Sequence, residues 1–493
     1  MHESDAIVIG SGVGGMASAI RLAIQGFSVQ VFEKNSYPGG KLSLLEKDGF
    51  RFDAGPSLFT RPDYLEQLFS DAGENLKDYF EYEQVDLSCR YFFENGKIIN
   101  AWTDAEKYER ELIEKAGEKK GTLQSYLDTS AILYNGVGQI FLNHSLHQLR
   151  TWLQPAIPKA LKDVRWNHLF DSLHQYNKKQ FSSPEAIQIF DRYATYNGSN
   201  PYQTPGMMSM IPHLELNQGT YYPAGGMISI TNALYQLALK KGVVFHFGHP
   251  VDQIQRNGNK VTGIVSNGKM LKTRIVVSNA DVFFTYQKLL DLPSRASKVL
   301  KQERSCSGVI FYWGMKENFP ELHLHNIFFS NRYKEEFEHI FKHKQLFSDP
   351  TVYINITSKM DSSHAPSGKE NWFVLINAPS NIAYDWGSAI KVLKENVIQK
   401  LSRILGRDIA SLIETEDVLD PRSIESKTGS YMGSLYGTGS NSPFAAFLRH
   451  ANFSNQFRNL YFCGGSVHPG GGIPLCFKSA EIVAQKVKAD FYN

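Results

Sequence analysis

The first residues of the chain leave little freedom in what it folds into. Residues 5–10 (Asp-Ala-Ile-Val-Ile-Gly) form a short apolar run rich in β-branched side chains, as a buried parallel strand requires. Gly10-Ser11-Gly12-Val13-Gly14-Gly15 follows, and Met16, Ala19, Ile20 and Ala23 then recur with helical spacing up to Gly26, a helix stop. A second strand over Ser28 to Phe32 closes at Glu33. Each position has a physical task. Gly10 permits a tight turn, Gly12 lets the backbone approach a pyrophosphate, and Gly15 lets the helix pack close to the strand. The helix N-terminus offers N–H groups and positive dipole to phosphates, while Glu33 is placed to accept hydrogen bonds from a ribose. Strand, glycines, helix, strand and acid in this order predict a Rossmann-like dinucleotide site, without separating NAD from FAD.

The rest of the chain makes that separation. After Glu33 and Lys34 comes the glycine turn Pro38-Gly39-Gly40-Lys41, and further on Gly49-Phe50-Arg51-Phe52-Asp53-Ala54-Gly55-Pro56-Ser57-Leu58. Residues 459–474 read Asn-Leu-Tyr-Phe-Cys-Gly-Gly-Ser-Val-His-Pro-Gly-Gly-Gly-Ile-Pro, followed by a helical apolar pattern. This second strand, glycine turn and helix start suits another electron-rich region, such as a flavin pyrimidine edge or ribityl chain. A simple nicotinamide domain has no use for it, and no second G-x-G-x-x-G offers a separate NAD(P) site.

These motifs, with Tyr222-Pro223-Ala224-Gly225-Gly226-Met227 and Val277-Ser278-Asn279-Ala280-Asp281, resemble the phytoene desaturase type of carotenoid desaturases within the amine-oxidase-like flavoproteins. The match runs from residue 5 to residue 485. It implies an α/β fold, α+β overall, with a Rossmann-like FAD-binding domain of the amine-oxidase/glutathione-reductase type and an interleaved substrate domain. The FAD domain is expected in three pieces, 1–90, 220–290 and 425–493, and the substrate domain in two, 91–219 and 291–424. The local patterns agree: a helix over 227–241, a strand over Val243 to Phe247, and a strand meander over 251–278 with turns at Asn257-Gly258 and Asn267-Gly268. Between the pieces, strands are expected at Val309 to Trp313 and Trp372 to Asn377, and a helix at Ser388 to Leu405.

The resemblance implies non-covalent FAD held by Gly10, Gly12, Val13, Gly14, Gly15, Glu33, Lys34, Gly40, Lys41, Pro56, Ser57, Leu58, Asn279, Ala280, Leu435, Gly464, Gly465, Gly472 and Ile473. Val251 joins this set near the adenine, with ordinary core packing as its other reading. The spellings Gly464-Gly465-Ser466-Val467-His468-Pro469 and Gly433-Ser434-Leu435-Tyr436-Gly437 resemble desaturases that introduce the 3,4 double bond of 1-hydroxylated acyclic or monocyclic carotenoids. The implied chemistry is hydride removal to flavin N5 followed by proton loss, with oxygen or a quinone as final acceptor. Phytoene desaturation, flavin-dependent carotenoid isomerisation or saturation, and amine oxidation are the competing activities. A non-catalytic flavin scaffold is the remaining alternative.

Other residues carry weaker signals. His468 is the first candidate for a polar group near the flavin, a turn histidine bonded to backbone being the alternative. Cys476 follows the Pro474 turn, where related amine oxidases link flavin covalently. His323, His325, His339 and His343 cluster in sequence without a zincin motif, which reads as surface histidines and no metal site. The four cysteines form no C-x-x-C pair and fit a reducing compartment. A net charge of +3 without single-sign blocks gives no support to nucleic-acid binding. Met1 to Asp5 lacks a basic leader region, and the apolar stretch Ala6 to Ile20 is too short and glycine-broken to span a bilayer. A cytoplasmic protein peripheral to the inner face of the membrane is expected. Residues 131–170 mix Trp152, Leu153, Leu161, Trp166 and Phe170 with Lys159, Lys162 and Arg165, and read either as core helices or as a membrane-lying surface.

Overall fold

A computed structural model describes residues 4–442, 445 and 447–492; Met1 to Glu3, read above for a leader, lie outside the described residues. Two seven-stranded sheets organise the chain. In the first, the strands Leu460–Phe462, Lys269–Ser278, Ser4–Ile9, Val29–Glu33 and Val244–Phe247 run parallel in that spatial order. The strand Lys269–Ser278 changes partner along its length. Its end near Ser278 pairs in parallel with Ser4–Ile9, and its start pairs antiparallel with Lys260–Ser266, which continues to Val251–Asn257. The meander read at 251–278 is this extension.

Both faces of the sheet are covered at its centre, which is why residues 6–9 and 275–277 are continuously apolar, while the edge strand Val244–Phe247 stays partly exposed. Ala6, Val8, Val29, Val31, Ile275 and Val277 pack on one face against the helices Val13–Ile24, Ile228–Lys240 and Ile473–Phe491. Ile7, Ile9, Phe32 and Val276 pack on the other, against Val282, Tyr286 and Leu289.

The second sheet runs in the order Ile413–Leu419, Ser307–Met315, Glu370–Ala378, Val352–Asn355, His325–Phe328, Leu87–Phe92 and Ile98–Trp102. Side chains alternate across a strand, so its register sorts residues between two environments. Val309, Phe311 and Trp313, with their antiparallel neighbours Trp372, Val374 and Ile376, face the amphipathic helix Trp386–Leu405 through Leu393, Val397 and Leu401. Burying each aliphatic or phenyl side chain there contributes about 1.5–3 kcal/mol, enough to fix which face is glued down. Ile310, Tyr312, Phe373, Leu375 and Asn377 therefore point the other way, into a cavity.

Residues 131–170 divide between the two expectations stated for them. Leu133, Leu142 and Ile157 are buried. Leu149, Trp152, Leu153, Leu161, Trp166 and Phe170 are exposed, Trp166 at 78 %, on the short helices Leu149–Trp152, Ala156–Lys162 and Trp166–Phe170 and the turns between them. Among the described residues no helix is long and apolar enough to cross a membrane.

Candidate functional site

The N-terminal strand Ser4–Ile9 is followed by Gly10, whose φ of +92° turns the chain toward the helix Val13–Ile24. That helix starts at Gly12 with no side-chain cap and no acid in its first turn. The helix Ile473–Phe491 starts at Gly472 in the same way, with Pro474 in its first turn. Two helix N-termini thus open uncapped N–H groups and positive dipole toward one place, the arrangement that suits phosphates and other electron-rich groups.

Asn279 holds the two glycine turns together. Its backbone N–H donates to Ile9 O at 2.8 Å. A Cβ on Gly12 would lie 2.8 Å from Asn279 Nδ2, and one on Gly464 would lie 2.4 Å from Asn279 Oδ1. A Cβ on Gly14 would meet the Gly464 backbone at 2.9 Å. The turns approach this closely only because they carry no side chains. Glu33 ties the second strand to the first turn: its carboxylate accepts from Ser11 N at 2.8 Å, Ser11 Oγ at 3.0 Å and Asn35 N at 2.9 Å. Lys41 reaches across the chain and donates to Leu435 O at 2.6 Å, and burial pushes its ammonium down to about 8.

These elements wall a cavity of about 860 Å³. Gly10, Gly12, Val13, Gly14, Glu33, Lys34, Gly40, Lys41, Pro56, Ser57, Leu58, Val251, Asn279, Ala280, Leu435, Gly464, Gly465, Gly472 and Ile473 all line it. Gly15 does not; it sits behind the turn, where a Cβ would lie 2.1 Å from Gly10 O. The glycine cradle and the paired helix starts fit a dinucleotide cofactor such as FAD.

Of the two readings of His468, the structure supports the turn histidine bonded to backbone and not the polar group beside the flavin. It is buried outside the cavity lining, its Nε2 lies 2.9 Å from His144 O, and its ring packs edge-on against Phe141. Burial pushes it down to about 4, so it is a neutral residue of the turn core. Cys476 does line the cavity, but burial pushes its thiol up to about 11 and keeps it protonated. His325 is corrected by the structure: it is no surface histidine but 2 % exposed and part of the cavity wall, whereas His343 is exposed.

The same cavity continues onto the free face of the second sheet. Ile310, Tyr312, Ile327, Phe329, Phe373 and Leu375 give it an apolar and aromatic wall. A buried polar cluster that the sequence did not single out adjoins this wall. Arg192 Nη2 donates to Glu215 Oε1 at 2.7 Å, and Glu215 also accepts from Ser88 Oγ at 3.0 Å, Tyr193 Oη at 3.1 Å and Tyr196 Oη. Beside it, Tyr353 Oη lies 2.8 Å from both Ser57 Oγ and His325 Nδ1. No local motif marks these residues, because they arrive from separate strands and helical turns.

Comparison with known proteins places this geometry. Residues 13–488 match the family model described as flavin containing amine oxidoreductase. The chain is 50% identical over 485 residues to a 1-hydroxycarotenoid 3,4-desaturase of Flavobacterium sp. (strain P99-3), covering 98% of each chain. It is 35% identical to a 4,4'-diapolycopene oxygenase of Methylomonas sp, again over 98% of each. An oxidoreductase from Methanosarcina mazei superposes with a TM-score of 0.64 at 16% identity, covering 98% of this chain and 100% of that one, a likeness of fold alone.

Proposed function

The chain belongs to the flavin-containing amine oxidoreductase family, and from that premise we propose that it is an FAD-dependent carotenoid desaturase that forms the 3,4 double bond of a 1-hydroxycarotenoid. One observation carries the reading: a single cavity is walled at one side by the glycine cradle and at the other by the apolar sheet face. The 50% identity to a 1-hydroxycarotenoid 3,4-desaturase supports the choice of substrate and bond. We assign 1–90, 220–290 and 425–493 to the FAD domain and 91–219 with 291–424 to the substrate domain, with the strand Leu87–Phe92 carrying the first boundary into the second sheet.

Bound FAD supplies a two-electron acceptor for hydride leaving a saturated carbon beside a polyene. The protein's share is positioning. Ile310, Tyr312, Ile327, Phe329, Phe373 and Leu375 hold an extended hydrocarbon and exclude water, so that one C–H bond is presented repeatedly in the same geometry. The conjugated chain spreads the positive charge left by hydride loss, so the adjacent proton departs without a strong base. The protonated Cys476 thiol favours flavin held without a covalent link. Oxygen or a quinone would serve as the final electron acceptor.

The test is an anaerobic mix of holoprotein with a 1-hydroxycarotenoid in liposomes. Flavin bleaching, a red shift of the polyene and a product lighter by two hydrogens are expected. A product that gains oxygen once air is admitted to the mix would move the protein beside its oxygenase relative. Bleaching by phytoene alone would make it a phytoene desaturase, and an altered polyene over an unchanged flavin would make it an isomerase. Acid precipitation of the same sample should release the flavin to the supernatant; flavin left on the pellet would mark a covalent bond.

The reading extends to a peripheral position on the inner face of the membrane, where such a substrate dissolves. Exposed Leu149, Leu153, Leu161, Trp166 and Phe170 lie among Arg150, Lys159, Lys162 and Arg165, the mixture an interfacial surface needs. Two large apolar side chains at about 1.5–3 kcal/mol each imply that the double variant Leu153→Glu/Trp166→Glu loses about 100-fold or more in partition to anionic vesicles. Co-sedimentation equal to that of the unaltered protein would remove this surface from the reading.

A further inference from the structure

His325 stands on the strand His325–Phe328 and lines the cavity while only 2 % exposed. Its Nδ1 is an acceptor. Asn355 Nδ2 lies 3.2 Å from it and also donates to Leu324 O at 3.0 Å, which fixes the amide with its nitrogen toward the ring. An amide nitrogen only donates, so the ring proton resides on Nε2. Burial, and next the charge of Arg192, push the imidazole down to about 3 and keep it neutral. Nε2–H is thus a buried donor, and among the described residues it has no partner. Such a group is costly to leave unmade. The neighbouring wall residues Ile327 and Phe329 offer no acceptor, and neither does a bare hydrocarbon. A hydroxyl oxygen does.

We propose that His325 is the specificity residue for the end group of the substrate, its Nε2–H donating to the hydroxyl oxygen of the 1-hydroxycarotenoid. This rests on the functional reading above and deepens it. In the substrate named for the Flavobacterium relative the hydroxyl is on C1 and the new double bond joins C3 to C4. One carbon separates the hydroxyl-bearing carbon from the reacting bond, so a hydroxyl anchor must stand beside the cofactor wall. His325 does: Tyr353 Oη bridges its Nδ1 to Ser57 Oγ at 2.8 Å on each side, and Ser57 follows the Gly55-Pro56 turn assigned to FAD. The anchor also explains selection. A site built around a buried donor rejects an analogue that leaves the donor unpaired.

The experiment measures kcat/KM of the holoenzyme for a 1-hydroxycarotenoid and for its analogue with hydrogen in place of the hydroxyl. The unaltered enzyme should prefer the hydroxylated compound by about 10-fold or more. His325→Phe should bring that ratio close to one, and His325→Gln, whose amide N–H reaches the place of Nε2, should retain it. A preference undiminished in His325→Phe overturns the anchor and leaves desaturation standing. Equal use of both compounds by the unaltered enzyme also overturns it, and oxidation of neither overturns the functional reading together with it. Should His325→Phe fail to hold flavin, His325→Gln and His325→Asn decide. Asparagine places its amide nearer Nδ1 and should lose the preference; equal ratios in the two variants would sink the proposal.

Discussion

Replacing Gly15 with alanine is expected to give a protein that purifies with little bound flavin and binds added FAD about 10-fold or more weakly, the range an overpacking cost of about 1–3 kcal/mol implies. The new Cβ would stand 2.1 Å from Gly10 O, with Asn279 Nδ2 and Cβ at 3.1 and 3.2 Å on its other side. Gly10 O is backbone, so no side chain can swing away. The helix Val13–Ile24 must lift from its strand by about 1 Å to relieve the contact, which moves its N-terminus away from the phosphates it serves. Overpacking adds about 1–3 kcal/mol of destabilisation. The control is Gly26→Ala at the other end of the same helix. Gly26 has a φ of +90° but no atoms within 4 Å of a new Cβ. That variant should lose about 1–2 kcal/mol to backbone strain and keep its flavin. The ratio of flavin to protein absorbance after purification, followed by FAD titration, separates the two. A fully flavinated Gly15→Ala protein would show that the strand–helix contact does not shape the cradle.

This contrast also explains which parts of the site were legible in the sequence. Gly10 and Gly464 are demanded by a positive φ, Gly14 by the Gly464 backbone and Gly12 by the Asn279 side chain, and such demands leave a local signature: glycines between an apolar run and a helical period. The cavity wall leaves none. Strands Ser307–Met315 and Glu370–Ala378 are apolar on both faces, so alternation does not tell the face glued to the helix Trp386–Leu405 from the face that lines the cavity. Only the register, with Ile310 opposite Leu375 and Tyr312 opposite Phe373, makes that assignment. His325 looked like one of four clustered histidines, because burial by a parallel neighbour more than two hundred residues earlier, Leu87–Phe92, is invisible locally. His468 left two readings open for the opposite reason. It lies within a true glycine motif, yet its ring turns outward from the cavity to meet His144 and Phe141. Membership of a motif fixes backbone position, and side-chain direction follows from what packs behind it.

Glu215→Leu is expected to destabilise the protein by about 3–5 kcal/mol, seen as a large fall in thermal midpoint and in soluble yield. The substitution strands the Arg192 guanidinium at 8 % exposure and takes the common acceptor from Ser88, Tyr193 and Tyr196. The double variant Arg192→Met/Glu215→Leu should recover a large part of that loss, because it leaves no unpaired buried charge. A double variant no better than Glu215→Leu alone would mean that the unpaired guanidinium is not the source of the damage. The expected recovery carries a functional implication. If apolar side chains can replace the pair at small cost, stability is not what the pair supplies beside an apolar chamber. What it supplies is placement. Ser88 and Tyr91 come from the strand Leu87–Phe92, Arg192, Tyr193 and Tyr196 from the turn Arg192–Asn197, and Glu215 from the turn His213–Asn217. Arg192 Nε donates to Tyr91 Oη at 2.9 Å, so these segments converge on one ion pair. The recovered double variant should therefore fold, hold flavin, and still turn over poorly, with the loss in kcat rather than in thermal stability, because the wall that presents the C–H bond is no longer held by directed bonds.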